Sequence, residues 1–152
     1  DTYFKFAFVR NPYTHAISDW MFDEKNWSIT EENTNIDKRK FTKKNFFKFL
    51  KNLKKEMRNK KSYYYSMRPF SNIYTINDKI AVDYIGKFEN LKKDVDKIHK
   101  ILKLPKKKFN LPHGKKNKSK NYLKFYNNES KRLVEEIWQK EFEFFKYNFP
   151  KN

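Results

Sequence analysis

The sequence predicts an α/β domain with a parallel sheet flanked by helices, and three observations carry that prediction. A strand-like run at residues 3–9 hands over directly to a helix start at Asn11-Pro12. A second strand-like run, residues 80–85, is again followed by a helical pattern after Asn90. Elsewhere the apolar residues recur mostly at helical spacing. Strands that alternate with helices are the pattern of parallel sheets, whose crossover helices cover both faces. Only two strands are readable, and a parallel sheet of two would leave its faces bare. The expectation is a helix-rich fragment of one domain, with further strands encoded before Asp1.

Each element has a local cause. Residues 3–9 read Tyr-Phe-Lys-Phe-Ala-Phe-Val, aromatic and β-branched, which suits a buried strand. Asn11 is a favoured helix cap, and Pro12 suits the first helical position because its φ is preset and its missing N–H is not needed there. Tyr13, Ile17, Trp20 and Met21 fall on one helical face and are expected in the core. Residues 27–39 are polar without a period and read as a loop. Thr42 caps a second helix running to about Asn59, with Phe46, Phe49, Leu50, Leu53 and Met57 as its stripe and mostly Lys opposite. Residues 62–75, with Arg68-Pro69, read as a loop with a short helical turn. Gly86 is expected to end the second strand. Leu91, Val95, Ile98 and Leu102 mark a third helix. Pro105, Pro112, Gly114 and dense lysines mark residues 104–120 as a basic loop. A last helix over residues 128–146 carries Leu133, Val134, Ile137, Trp138, Phe142 and Phe145 on one face. No repeat is visible, and residues 1–152 read as a single partial domain.

Composition sets limits. The chain has no cysteine, which rules out disulfides and Cys-based zinc sites within it. No run of 18 apolar residues occurs, and no signal-peptide pattern is readable at the start of the sequence. Cytoplasmic placement and anchoring in a secretory compartment, by a segment before Asp1, are both open. The net charge of +18, from 36 Lys and Arg against 18 Asp and Glu, creates a field that attracts nucleotides, acidic glycans and nucleic acid. A/T-rich codons would produce the same abundance of Lys, Asn, Phe, Tyr and Ile. Placement of the basic residues therefore matters more than their number.

Placement singles out residues 10–18. The first strand delivers Arg10 to its carboxyl end, where open α/β sheets bind ligands. The helix N-terminus at Asn11-Pro12 follows at once, with backbone N–H groups and a dipole that favour anions. Arg10 adds a forked, permanently charged donor. Thr14 and Ser18 lie four apart on one helical face, away from Tyr13, Ile17 and Trp20. Together these residues form a candidate phosphate clamp. The competing reading is an ordinary strand–turn–helix with a solvated arginine.

Arg10-Asn11-Pro12 with Ser18 eight residues after Arg10 resembles the 3′-phosphate-binding motif of sulfotransferases, and the wider match is to the carbohydrate group acting on chondroitin, dermatan and heparan. Tyr84-Ile85-Gly86-Lys87-Phe88-Glu89-Asn90-Leu91 is similar to that group's Ile-Gly-Arg-Phe-Glu-Asn-Leu stretch. Met67-Arg68-Pro69 resembles its His-x-Arg-Pro-Gln segment. Leu111-Pro112-His113, followed by residues 115–120, resembles the basic loop before its last helix. The four segments come in the family's order. The resemblance implies a P-loop-like sulfotransferase fold, of which this chain is the C-terminal portion, and 3′-phosphoadenosine 5′-phosphosulfate (PAPS) as donor. It implies that Arg10 and Ser18 hold the 3′-phosphate, with Asn11 and Thr14 beside it. Lys115, Lys116, Lys118 and Ser119 would form a lid over the cofactor phosphate, where the competing reading is a solvated lysine-rich loop. Arg68 reads equally as a contact to acceptor or nucleotide and as half of a structural pair with a carboxylate. Departures are His15, where the family often has a second Arg, and Ser66 and Phe70 in the middle segment. The family's Gly- and Lys-containing 5′-phosphosulfate loop is not found, and it and the catalytic base are expected before Asp1. The fragment alone is then expected to be inactive.

The implied function is transfer of a sulfuryl group from PAPS to a carbohydrate hydroxyl, with a glycan as partner and without nucleic acid or metal. Three scattered His argue against a metal site. His99 and His113 read as surface and turn residues. Two rivals stand beside this reading. A basic nucleic-acid-binding module would show salt-steep affinity. A nucleotide kinase-like P-loop protein would carry a Gly-rich loop with Lys-Ser or Lys-Thr upstream.

Overall fold

The opening strand is shorter than its apolar run: β1 covers Phe6–Val9. It pairs in parallel with β4 (Tyr84–Lys87), so that Phe6 faces Tyr84 and Phe8 faces Gly86. The computed structural model describes residues 3–29, 41–62, 64, 67–69, 71–105 and 122–150. The chain divides into two compact units, one of Asp1–Asn11 with Phe70–Lys118, the other of Pro12–Pro69 with Ser119–Asn152. The parallel pairing in the first unit bears out an α/β class with a small parallel sheet.

In the first unit the expected strand at residues 80–85 divides in two. Its start belongs to a small antiparallel hairpin, β2 (Thr75–Ile76) with β3 (Lys79–Ile80). The cause is the turn between them: Asn77 and Asp78 both hold left-handed backbone, φ 48° and 61°. Asn and Asp tolerate that region, and two such residues match the twist of a tight hairpin. Ile80 is consequently exposed, against the expectation of a buried strand. The true second strand starts at Tyr84, and Gly86 lies buried inside it instead of ending it. Before the hairpin, α3 (Ser71–Tyr74) supplies the short helical turn expected in residues 62–75 and buries Tyr74.

A 3-10 turn at Phe88–Asn90 leads from β4 into α4 (Leu91–Ile101). Asp94, in the first turn of α4, ties the helix to the strand. Its carboxylate accepts the Lys87 N–H at 2.6 Å and the Tyr84 hydroxyl at 2.8 Å. A carboxylate in a first turn also complements the helix dipole. Burial of the ring, and then this bond to Asp94, raise the Tyr84 pKa. Ile98 is the buried residue of α4, with Leu91 and Val95 half-covered. β1 leaves Phe6 47% exposed, so the two-stranded sheet does leave apolar surface bare.

The second unit is helical. α1 (Pro12–Ile29) begins at the predicted proline. It runs on through residues 27–29, which were expected to be loop, because neither Gly nor Pro interrupts residues 22–29. Residues 30–39 of that loop lie outside the described residues. α2 (Lys43–Glu56) starts as expected: the Thr42 hydroxyl accepts the Asn45 N–H at 3.1 Å. Its end at Glu56 falls short of Asn59. The expected last helix is two, α5 (Asn128–Ile137) and α6 (Gln139–Phe145). Trp138 breaks it, with backbone at φ −108°, ψ 33° and its indole buried in the core. Asn127 and Ser130 cap α5 reciprocally, each side chain accepting the other's N–H at 2.8 Å.

The core of this unit unites the predicted stripes. Tyr13, Ile17, Trp20 and Met21 from α1 meet Phe46, Phe49, Leu50 and Leu53 from α2, and Val134, Ile137 and Trp138. Trp20 stacks edge-on to Phe125 with ring centres 5.0 Å apart. Each fully buried Leu or Phe here stabilises the unit by roughly 1.5–3 kcal/mol over its exposed state.

Candidate functional site

Arg10 leaves the sheet one residue past the end of β1, on the carboxyl side that the sequence predicts. Its guanidinium lies over the Phe88 ring, 4.9 Å from the centroid. Such a contact holds a planar cation by its face and leaves its edge donors to other partners. Asn11 follows and is buried. Its backbone N–H donates to the Glu89 Oε1 at 2.7 Å. That amide, which the sequence offered to an anion, is thus already bonded to a carboxylate, and Pro12 has no N–H to add.

β1 is closed in the same manner at its other end. The Lys5 N–H donates to Asp83 Oδ2 at 2.7 Å. One carboxylate just before β4 and one just after it therefore take the N–H groups that flank β1. In the sequence Phe88 and Glu89 belong only to the segment similar to the family's Ile-Gly-Arg-Phe-Glu-Asn-Leu stretch. Their contacts to Arg10 and Asn11 span 78 residues in each case, and no local pattern signals them.

In the second unit, α1 carries Thr14 and Ser18, both half-buried and four residues apart on one helical face. Tyr13, Ile17 and Trp20 are buried, as expected of the core-facing side. His15 is engaged: Nε2 stands 3.3 Å from Asp19 Oδ2, and its ring centre is 5.8 Å from that of Trp138. The position where the family often has a second Arg thus packs within the helical unit. Tyr13 donates its hydroxyl to Glu135, and Tyr126 donates to the Tyr13 carbonyl at 2.8 Å. Burial first, then Glu135, pushes the Tyr13 pKa far up. Arg68 is half-buried beside Met67, which packs into the core. Ser66, Phe70, His113, Lys115, Lys116, Lys118 and Ser119 lie outside the described residues. Among the described residues no three His, Asp or Glu side chains gather as a metal site requires.

The strand-end arginine, the helix that follows it and the 84–91 segment therefore all occur where the motifs put them. The family model of the sulfotransferases matches residues 1–148. The chain belongs to the sulfotransferase family. Membership carries the reaction class, transfer of a sulfuryl group by a transferase. The chain is also similar to an uncharacterized protein of Archaeoglobus fulgidus, 30% identical over 105 residues, 69% of this chain and 72% of that protein. No solved structure matches it. In this sulfotransferase, the segment that resembles the family's Ile-Gly-Arg-Phe-Glu-Asn-Leu stretch forms β4, the 3-10 turn and the start of α4.

Proposed function

We propose that this protein transfers a sulfuryl group from PAPS to a hydroxyl of a carbohydrate acceptor, on a P-loop-like sulfotransferase fold. The observation that carries the reading is Arg10 at the carboxyl end of β1, its guanidinium over Phe88. Ligands of open α/β sheets bind at that end of the strands. A guanidinium keeps its charge at any working pH and presents a fork of donors that matches a phosphate. Ser18 lies eight residues on, the spacing of the family's 3′-phosphate motif.

Residues 10–18 supply one permanent cation, Arg10, and two hydroxyls, Thr14 and Ser18, groups of the kind that bind phosphate. In this reading Arg10 and Ser18 hold the 3′-phosphate, Asn11 and Thr14 line it, and Lys115, Lys116, Lys118 and Ser119 close over it. Arg68 contacts the acceptor or the nucleotide. PAPS is the substrate that supplies the activated sulfuryl group. The acceptor hydroxyl oxygen bonds to sulfur as the bond to the nucleotide phosphate breaks, and a base takes the hydroxyl proton. Arg10 and Ser18 contribute binding and register, not proton transfer. Support for a glycan acceptor comes from the four segments similar to the carbohydrate group and from a net charge of +18, which suits an acidic polymer.

The experiment supplies sulfur-labelled PAPS and a panel of chondroitin, dermatan and heparan chains to the full-length protein. Label should pass to at least one glycan and be blocked by excess PAP. Absence of transfer, combined with salt-steep binding of RNA of any sequence, would replace this reading with a nucleic-acid-binding module.

A further inference from the structure

We propose that Glu89 is a positioning residue for Arg10. It fixes the turn at Arg10-Asn11-Pro12 by accepting the Asn11 N–H, while its neighbour Phe88 carries the Arg10 guanidinium. The inference rests on the reading that Arg10 binds the 3′-phosphate.

Two adjacent residues of one 3-10 turn grip two adjacent residues at the end of β1. Phe88 lies under the Arg10 guanidinium at 4.9 Å, and Glu89 Oε1 accepts from the Asn11 backbone at 2.7 Å. The turn that supplies both is itself anchored. The preceding residue, Lys87, gives its N–H to Asp94 at 2.6 Å, and it pairs with Val9 in the parallel ladder. The chain around Arg10 is therefore held by the ladder on one side and by Glu89 on the other. Asn11 is 8% exposed, so its N–H needs a partner within the protein. Glu89 is itself exposed and adds little to any core. A solvent-facing carboxylate spent on one backbone N–H next to the binding arginine acts on the arginine's position. An arginine displaced by about 1 Å loses the aligned, charge-assisted geometry that makes its contact strong.

Calorimetry on the full-length protein tests this with two probes, PAP and adenosine 5′-phosphosulfate, which lacks the 3′-phosphate. Glu89→Ala should weaken PAP by about fivefold to tenfold, the scale of one ordinary hydrogen bond and less than the loss expected on removing Arg10 itself. Affinity for adenosine 5′-phosphosulfate should stay unchanged. Glu89→Gln, which keeps an oxygen acceptor at the same reach, should restore most of the PAP affinity, and Glu89→Asp should restore less. In an Arg10→Ala background Glu89→Ala should add no further loss, since both act on one contact. In turnover, KM for PAPS should rise while kcat holds. Equal losses for both probes, or a loss that adds fully to that of Arg10→Ala, would overturn the positioning role. A loss on Arg10→Ala with none on Glu89→Ala overturns it alone. No loss on either variant overturns the phosphate clamp with it.

Discussion

Gly86 stands opposite Phe8 in the parallel ladder, and a Cβ placed on it would collide with the Phe8 ring. The same Cβ would lie 3.1 Å from the Asp94 Cβ. The glycine is required by a ring from the neighbouring strand, not by its backbone, since Gly86 does not have positive φ.

Gly86→Ala should accordingly destabilise the fold by about 1–3 kcal/mol, the usual cost of overpacking. Denaturant unfolding measures it. Adding Phe8→Ala should recover part of the loss, because the clash is with that ring. A fully additive double variant would mean that the glycine serves something other than Phe8.

Tyr13 ties α1 to α5 through Glu135. Its pKa is raised from the ordinary 10.0, so the neutral form is favoured in the fold. A group with a raised folded pKa contributes stability that is complete below its unfolded pKa and is lost as pH climbs toward the folded one. Unfolding free energy should therefore decline above about pH 10. In Tyr13→Phe that decline should be shallower, with Tyr126 and Tyr84, both raised as well, accounting for the remainder. At neutral pH the variant should lose about 1 kcal/mol, one hydrogen bond. An alkaline slope identical to wild type would remove Tyr13 from the explanation.

Much of this was legible in local pattern. Thr42, Phe46, Phe49, Leu50 and Leu53 announce α2 because cap and stripe are written within one helix. Arg10 at a strand end and Pro12 at a helix start are equally local. The rest depends on residues far apart in the chain. Gly86 looks like a strand terminator until Phe8 is seen across from it. Ile80 and Ile85 look like one strand until Asn77 and Asp78 turn the first of them into a hairpin. Trp138 fits the periodic stripe of a single helix, yet its backbone, at φ −108° and ψ 33°, leaves the helical region and splits that helix in two. Glu89 meets Asn11 only because β1 and β4 pair.

Ser18 separates a ligand contact from a helix residue. Ser18→Ala should weaken PAP by about 0.5–1.5 kcal/mol, less than the loss of a charged donor. With adenosine 5′-phosphosulfate the effect should vanish. Equal losses for the two ligands would assign Ser18 a structural role in α1.

The central claim is that Arg10 binds the 3′-phosphate of PAPS, and titration of PAP into the full-length protein and its Arg10→Ala variant tests it most directly. The variant should bind at least about tenfold more weakly, a charge-assisted contact of ~1.5–3 kcal/mol, and keep its melting temperature. Unchanged PAP affinity in a folded Arg10→Ala protein would contradict the claim.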